Sequence, residues 1–368
     1  MKKSYFLMAA AATMFAACSQ NDVLNEVQVQ EEAQAIGFST YSSKATRAEN
    51  NNTAVNTTNL ETHHKTFKVW GYKNTYAEYV FGGVRVSADD AGNWTYSPKK
   101  YWDKAATSYQ FYAAAPDNGL WQLSSNTTAQ DDDYFYISSF ELQGTSLAHT
   151  SHQSSFESVA DCDLMIASPC SMDRTMYGND VQLAFNHILS RLNVKVKKGT
   201  NLANNNEELN ITSFKVYKLK NAGSFNEGAS LMGESIPAGT TKRWTTVASE
   251  YEVAGNALNG VTAAQVDNQY IFQALVIPQE AANQNIDRNG SSDETAPYFT
   301  IEYTIGSGVN AEPYSATFNL AAAFAQSPLR LCEGYENTLT LTIDAETIVF
   351  DASVYEWTDK FVNNFEVK

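Results

Sequence analysis

The sequence predicts an all-β protein built of two β-sandwich domains in tandem. Three observations carry this expectation. Short stretches of alternating apolar and polar residues recur along the chain, each bounded by Gly, Pro, Asn or Asp. Aromatic residues are abundant, with 20 Tyr and 19 Phe in 368 residues, and such side chains suit pleated, half-buried surfaces. Helical periodicity is almost missing, and at about 100–200 residues per domain the length asks for two domains rather than one.

At the N-terminus, Lys2 and Lys3 precede an apolar run from Tyr5 to Ala17 that is too short to span a bilayer, and the run ends Phe15-Ala16-Ala17-Cys18. Small residues immediately before a Cys read as a bacterial lipoprotein signal, so residues 1–17 are expected to be removed and Cys18 to become the lipidated N-terminus at the outer membrane. The alternative is an ordinary secretory signal followed by a free Cys, and both readings export the protein.

Residues 18–47 come next. Their first part, 19–35, is a polar and acidic tether, and Ile36-Gly37-Phe38-Ser39-Thr40-Tyr41 alternates as one short strand. Thr46-Arg47-Ala48 follows, and then the Asn- and Thr-rich stretch from Glu49 to Asn59 reads as loop.

The expected N-terminal domain spans 48–198. FKVWGY (67–72) is a strand, Gly82-Gly83 a turn, VRVSA (84–88) a strand, and YQFYA (109–113) another. Pro116-Asp117-Asn118-Gly119 is turn chemistry, and long polar loops are expected over 124–133 and 144–155. In Val181–His187 the apolar residues sit at odd positions, whereas Leu192, Val194 and Val196 are even. That change of parity predicts a bulge near Ser190-Arg191 or a strand buried on both faces, with the domain boundary just after it at Lys198-Gly199.

The expected C-terminal domain spans 199–368. Its strand candidates are 211–219, 270–278, 298–305, 314–320 and 335–343, separated by Asn-rich loops such as 201–208 and 282–296. Ala321–Ala325 is the one expected helical turn. Two sandwiches fit this spacing best.

Charge and motifs exclude most chemistry. With 25 Lys plus Arg against 41 Asp plus Glu, the formal charge is −16, so no nucleic-acid partner and no electrostatic hold on anionic lipid is expected. No phosphate-binding loop, dinucleotide fingerprint, H-E-x-x-H or G-x-S-x-G occurs. His63-His64, and His149 with His152, read as solvated loop histidines, and His187 as a hydrogen-bonded core histidine. Asp131-Asp132-Asp133 lacks the graded spacing of a calcium loop. Beyond Cys18 stand Cys162, Cys170 and Cys332; export permits a bridge between Cys162 and Cys170, and the odd count leaves at least one thiol unpaired within the chain. The expectation is a non-enzymatic protein with no metal and no cofactor.

Taken in order, the lipoprotein-type signal, the Ile36–Phe38 strand, Thr46-Arg47-Ala48, FKVWGY, WTYSPKKYW, YQFYAAAP, DLMIAS, VQLAFNHILSRLNVKV and EGYENTLTLTI are similar to the fimbrillin family of Bacteroidetes surface pili. The resemblance spans nearly the whole chain. It implies two transthyretin-like β-sandwich domains, export as a lipoprotein, cleavage after an Arg by an Arg-specific surface protease, and polymerisation with other fimbrial subunits by strand exchange. Applied to this sequence, Arg47 is the first Arg in the chain and lies in the kind of segment proteases cut, so the expected scission is between Arg47 and Ala48. That cleavage makes 18–47 a propeptide, and losing it removes the Ile36–Phe38 strand and opens an edge that templates a strand from another chain. The candidate donor is the C-terminal segment 343–367, where Ile348, Phe350, Ala352 and Val354 share one face at period two. Host surface receptors are further expected partners. The rival reading is a monomeric surface lipoprotein that binds glycans or host matrix.

Overall fold

The computed structural model describes residues 34–42, 66–74, 78–89, 93–115, 117, 128–130, 134–141, 164–220, 222–226, 244–246, 250–262, 270–279, 296–325, 327, 329–345 and 347–356. Strands dominate. In chain order they begin β1 (Phe38–Ser42), β2 (Thr66–Lys73), β3 (Glu78–Ala88), β4 (Trp94–Thr95), β5 (Ser108–Ala115), β6 (Thr128–Gln130), β7 (Tyr134–Glu141), β8 (Met165–Asp173) and β9 (Val181–His187). They continue β10 (Ser190–Lys198), β11 (Leu209–Lys220), β12 (Ala222–Asn226), β13 (Trp244–Thr246), β14 (Glu250–Ala254), β15 (Tyr270–Val276), β16 (Tyr298–Ile305), β17 (Glu312–Asn319), β18 (Tyr335–Ile343) and β19 (Ile348–Glu356). Two short helices, α1 (Thr200–Asn204) and α2 (Leu320–Ala323), complete the regular elements used below.

A seven-stranded sheet runs β1-β9-β8-β5-β2-β3-β4. β5 and β2 near its centre are buried on both faces, as their apolar residues at both odd and even positions require. In β5, Tyr109, Phe111, Ala113 and Ala115 enter one core while Tyr112 and Ala114 enter another. In β2, Phe67 and Val69 face the first core, and Trp70 and Tyr72 the second. The two ends of this sheet meet. Residues 34–36, just ahead of β1, bond with 100–102, just beyond β4, through Ile36 N–H to the Lys100 carbonyl (2.9 Å) and Trp102 N–H to the Gln34 carbonyl (3.0 Å). The sheet therefore curls around its own core of Phe, Tyr and Trp side chains. A small sheet, β13-β12-β7-β6, covers the second core with Ile137, Phe140, Phe225 and Trp244.

The second sandwich stacks β15-β10-β18-β19 on β14-β11-β16-β17. Leu192, Val194 and Val196 of β10 and Leu339 and Leu341 of β18 meet Phe214, Phe299 and Ile301 of the facing sheet in one core. Each such side chain, fully buried, contributes about 1.5–3 kcal/mol before chain entropy is counted.

Most sequence-predicted strands coincide with observed ones, and several expectations change. Gly82-Gly83 is not a turn between strands. It lies inside β3 as a bulge, where Val69 pairs with Val84 and Trp70 with Gly82; Gly83 has φ +77°, and a Cβ there would meet the Trp70 indole at 3.2 Å. The parity change after His187 is not a bulge in one strand. β9 and β10 belong to different sheets, and the chain passes between them through Ile188 and Leu189, both buried. Pairing does not divide at 198 and 199 either: β10 lies in the second sandwich, while β12 and β13 return to pair with β7. The described residues from Gln34 to Glu356 belong to one compact unit. The polar segment 201–208 contains most of α1, and the polar segment 124–133 contains β6.

Candidate functional site

Two features bear on assembly: the seat of the first strand and the attachment of the last one. The first strand is seated by backbone on both sides. β1 runs parallel to β9 with Phe38 opposite Val181 and Thr40 opposite Leu183. Ahead of it, Val181 N–H donates to the Gly37 carbonyl at 2.9 Å, and the Gln34 side-chain amide donates to the Gly178 carbonyl. On the other side, the Tyr96 hydroxyl donates to the Ile36 carbonyl at 2.8 Å and accepts from Lys100 N–H at 3.2 Å. Burial first of all, with a contrary pull from the Lys100 backbone, raises the Tyr96 phenol above its ordinary pKa, so it remains a donor at neutral pH.

Its side chains plug the curled core. Ile36 is 1% exposed and Phe38 4%. The Phe38 ring meets Phe67, Phe81, Tyr96 and Phe111 edge-on, with centroids 6.0, 5.5, 5.7 and 6.1 Å away. Such pairs add about 0.5–1.5 kcal/mol each beyond area burial. Among the described residues β9 pairs only with β1 and β8. Without residues 34–42, the Val181–Phe185 edge of β9 and the Lys100 carbonyl lose these partners, and an aromatic-walled slot opens beside them.

β19 is an edge strand. It pairs with β18 along its whole length, from Ile343 opposite Ile348 to Tyr335 opposite Glu356. The four sequence-predicted donor residues, Ile348, Phe350, Ala352 and Val354, lie half-buried against the second core, with Phe350 edge-on to Phe318 at 4.9 Å. On the other face Val349 and Tyr355 are 58% and 63% exposed.

The hairpin between β18 and β19 is anchored at Asp344, a residue with no signal in the sequence. Its carboxylate accepts from Asn201 N–H (3.2 Å) and Leu202 N–H (3.1 Å) at the start of α1, and from Ala345 N–H (3.0 Å). Gly199 makes this possible: a Cβ there would lie 2.7 Å from the Asp344 Cβ. Burial would raise the Asp344 pKa, but the N–H donors outweigh it and hold the carboxyl below its ordinary range.

The remaining residues singled out in the sequence are placed as follows. Cys18, Arg47, Ala48, Cys162, His63, His64, His149, His152 and Asp131–Asp133 lie outside the described residues. His187 is buried at the end of β9, opposite Met165. Cys170 and Cys332 are free thiols, and burial pushes Cys332 up to about 11. Among the described residues no group of three or more His, Cys, Asp or Glu could hold a metal ion, and no helix is long and apolar enough to cross a membrane. Tyr96 is visible in WTYSPKKYW only as an aromatic; its role depends on a strand 60 residues away.

The fold has a counterpart among solved structures. The family described as fimbrillin-like matches residues 30–357. A fimbrial protein from Bacteroides vulgatus is similar in structure, with a TM-score of 0.51 and 15% identity over 88% of this chain and 100% of that one. The tip fimbrial protein Mfa3 from Porphyromonas gingivalis, with a C-terminal truncation, matches at a TM-score of 0.43 and 8% identity over 81% of this chain and 96% of that one. The curated proteins yield no match.

Proposed function

Because the chain belongs to the fimbrillin-like family, we propose that it is a structural subunit of a surface fimbria, exported as a lipoprotein on Cys18, cut after Arg47 and polymerised by strand exchange. The observation that carries this reading is the seat of residues 34–42. They fill the seam of a curled sheet, and they lie on the N-terminal side of Arg47, five residues before which β1 ends. Scission between Arg47 and Ala48 by an Arg-specific surface protease would sever this filling from the body. The open β9 edge and the slot walled by Phe67, Phe81, Tyr96 and Phe111 would then take an extended segment from a neighbour.

The donor in this reading is 343–367 of another subunit. Exchange conserves backbone pairing roughly, since β19 gives up one partner strand to gain another. What changes is enclosure. Ile348, Phe350, Ala352 and Val354 are half-buried at an edge, and completing the burial of two or three of them in an aromatic slot contributes about 2–4 kcal/mol. The lipid on Cys18 would hold the precursor at the outer membrane until cutting, after which adhesion to host surface receptors would be a property of the polymer. This role needs no catalytic group of the chain.

The test is assembly on the cell surface. Arg47→Ala should keep the N-terminal segment attached and abolish the laddered polymers seen on mild denaturing gels, and N-terminal sequencing of the wild-type surface form should begin at Ala48. A chain lacking 345–368 should fold and accept but not donate. Polymers forming at the wild-type rate from either variant would refute the reading.

A further inference from the structure

The first strand fits its seat well at one end and poorly in the middle. Ile36 and Phe38 are buried and apolar, but the next residue on that face is Thr40. The Thr40 hydroxyl oxygen is buried and makes no hydrogen bond, as is that of adjacent Ser39. Opposite Thr40 in register stands Leu183, a fully buried member of the apolar core. A hydroxyl in such a place has given up its bonds to water and received none in return. The candidate donor differs at just this point. Ile348, Phe350, Ala352 and Val354 give four apolar side chains at two-residue spacing. Any three consecutive members, laid over the positions of Ile36, Phe38 and Thr40, put an apolar group where the hydroxyl now sits, whichever way the strand runs.

We propose that Thr40 makes the first strand replaceable: its seat suits an apolar side chain, and a strand supplying one there displaces residues 34–42. This rests on the exchange reading above and deepens it. Ile36 and Phe38 hold the strand firmly enough to fold the precursor, and Thr40 keeps that hold weaker than the one a donor achieves. The covalent link through residues 43–47 keeps the weak occupant in place until it is cut, because a tethered strand that leaves its seat rebinds before a competitor arrives.

The experiment compares wild type, Thr40→Val and Thr40→Ser. Val has nearly the shape of Thr and removes the hydroxyl; Ser keeps the hydroxyl and removes the methyl. On the uncut chain, the thermal midpoint should rise by roughly 2–4 °C in Thr40→Val and fall in Thr40→Ser. On chain cut after Arg47, a synthetic peptide of residues 343–356 should displace the first strand about tenfold more slowly from Thr40→Val than from wild type. An unchanged or lowered midpoint in Thr40→Val, or an unchanged displacement rate while the wild-type strand is displaced, overturns the role given to Thr40 alone. A wild-type strand that the peptide never displaces overturns the exchange reading itself and the role of Thr40 with it.

Discussion

Tyr96 and Ile36 are joined across 60 residues of sequence by one hydrogen bond, the phenol donating to the carbonyl at 2.8 Å. The same phenol oxygen accepts from Lys100 N–H, and the Lys100 carbonyl accepts from Ile36 N–H. One side chain thus ties the first strand to the far end of the sheet that it closes.

Tyr96→Phe leaves the buried Ile36 carbonyl without this donor and should cost about 1–3 kcal/mol in the uncut chain. Urea unfolding measures this directly. The loss should shrink to near zero in chain that has been cut and has released its first strand, because the bond to Ile36 is then gone in both variants.

Phe38→Ala empties the space among Phe67, Phe81, Tyr96 and Phe111 and should destabilise the uncut chain by about 3–5 kcal/mol. The first strand should also come away before any cut is made, so amide exchange at Val181–Phe185 should accelerate in this variant. Exchange there that stayed at wild-type rates would mean that β1 does not depend on its aromatic plug.

Asp344 links the hairpin before β19 to α1 through N–H donors that hold its carboxyl below the ordinary value of 3.8. A lowered folded pKa means stability that is present above the ordinary value and lost as pH falls through the lower one. Amide protection at Asn201 and Leu202 should therefore fade on acidification below about pH 4. In Asp344→Ala the same amides should be poorly protected at every pH, and β19 should detach more readily from its own sheet.

Cys332 behaves in the opposite sense. Burial raises its thiol from 9.0 to about 11, so its stabilising effect is complete below 9.0 and declines as pH rises toward 11. Thermal midpoints should drop over that interval and drop less in Cys332→Ala. At about pH 8, below the ordinary thiol range, iodoacetamide should label Cys332 far more slowly in folded than in urea-unfolded protein.

The strands were legible wherever one face is buried, because alternation then writes the geometry into the residues. YENTLTLTI is β18 to the residue. The exceptions have physical causes. β6 is only three residues long, and β12 and β13 are short and take their burial from partners far away in sequence, such as Trp244 donating from its indole to the Ile188 carbonyl. Gly82-Gly83 carries turn chemistry but serves a bulge that makes room for Trp70. The crossing at Ile188-Leu189 resembles a bulge because both events shift parity by the same amount. At the candidate site, the alternation of Ile36 and Phe38 marked a strand, yet neither Tyr96 nor Asp344 has a local signature, since each acts on backbone brought to it by the fold.

The two-residue passage from β9 through buried Ile188 and Leu189 into β10 has a mechanical side. Tension applied between the sandwiches meets a two-residue passage that bends at Leu189 and has no slack to release. A slack linker would pay out first. Units joined this way would transmit a tug like a stiff cable, with little of the give of beads on a string.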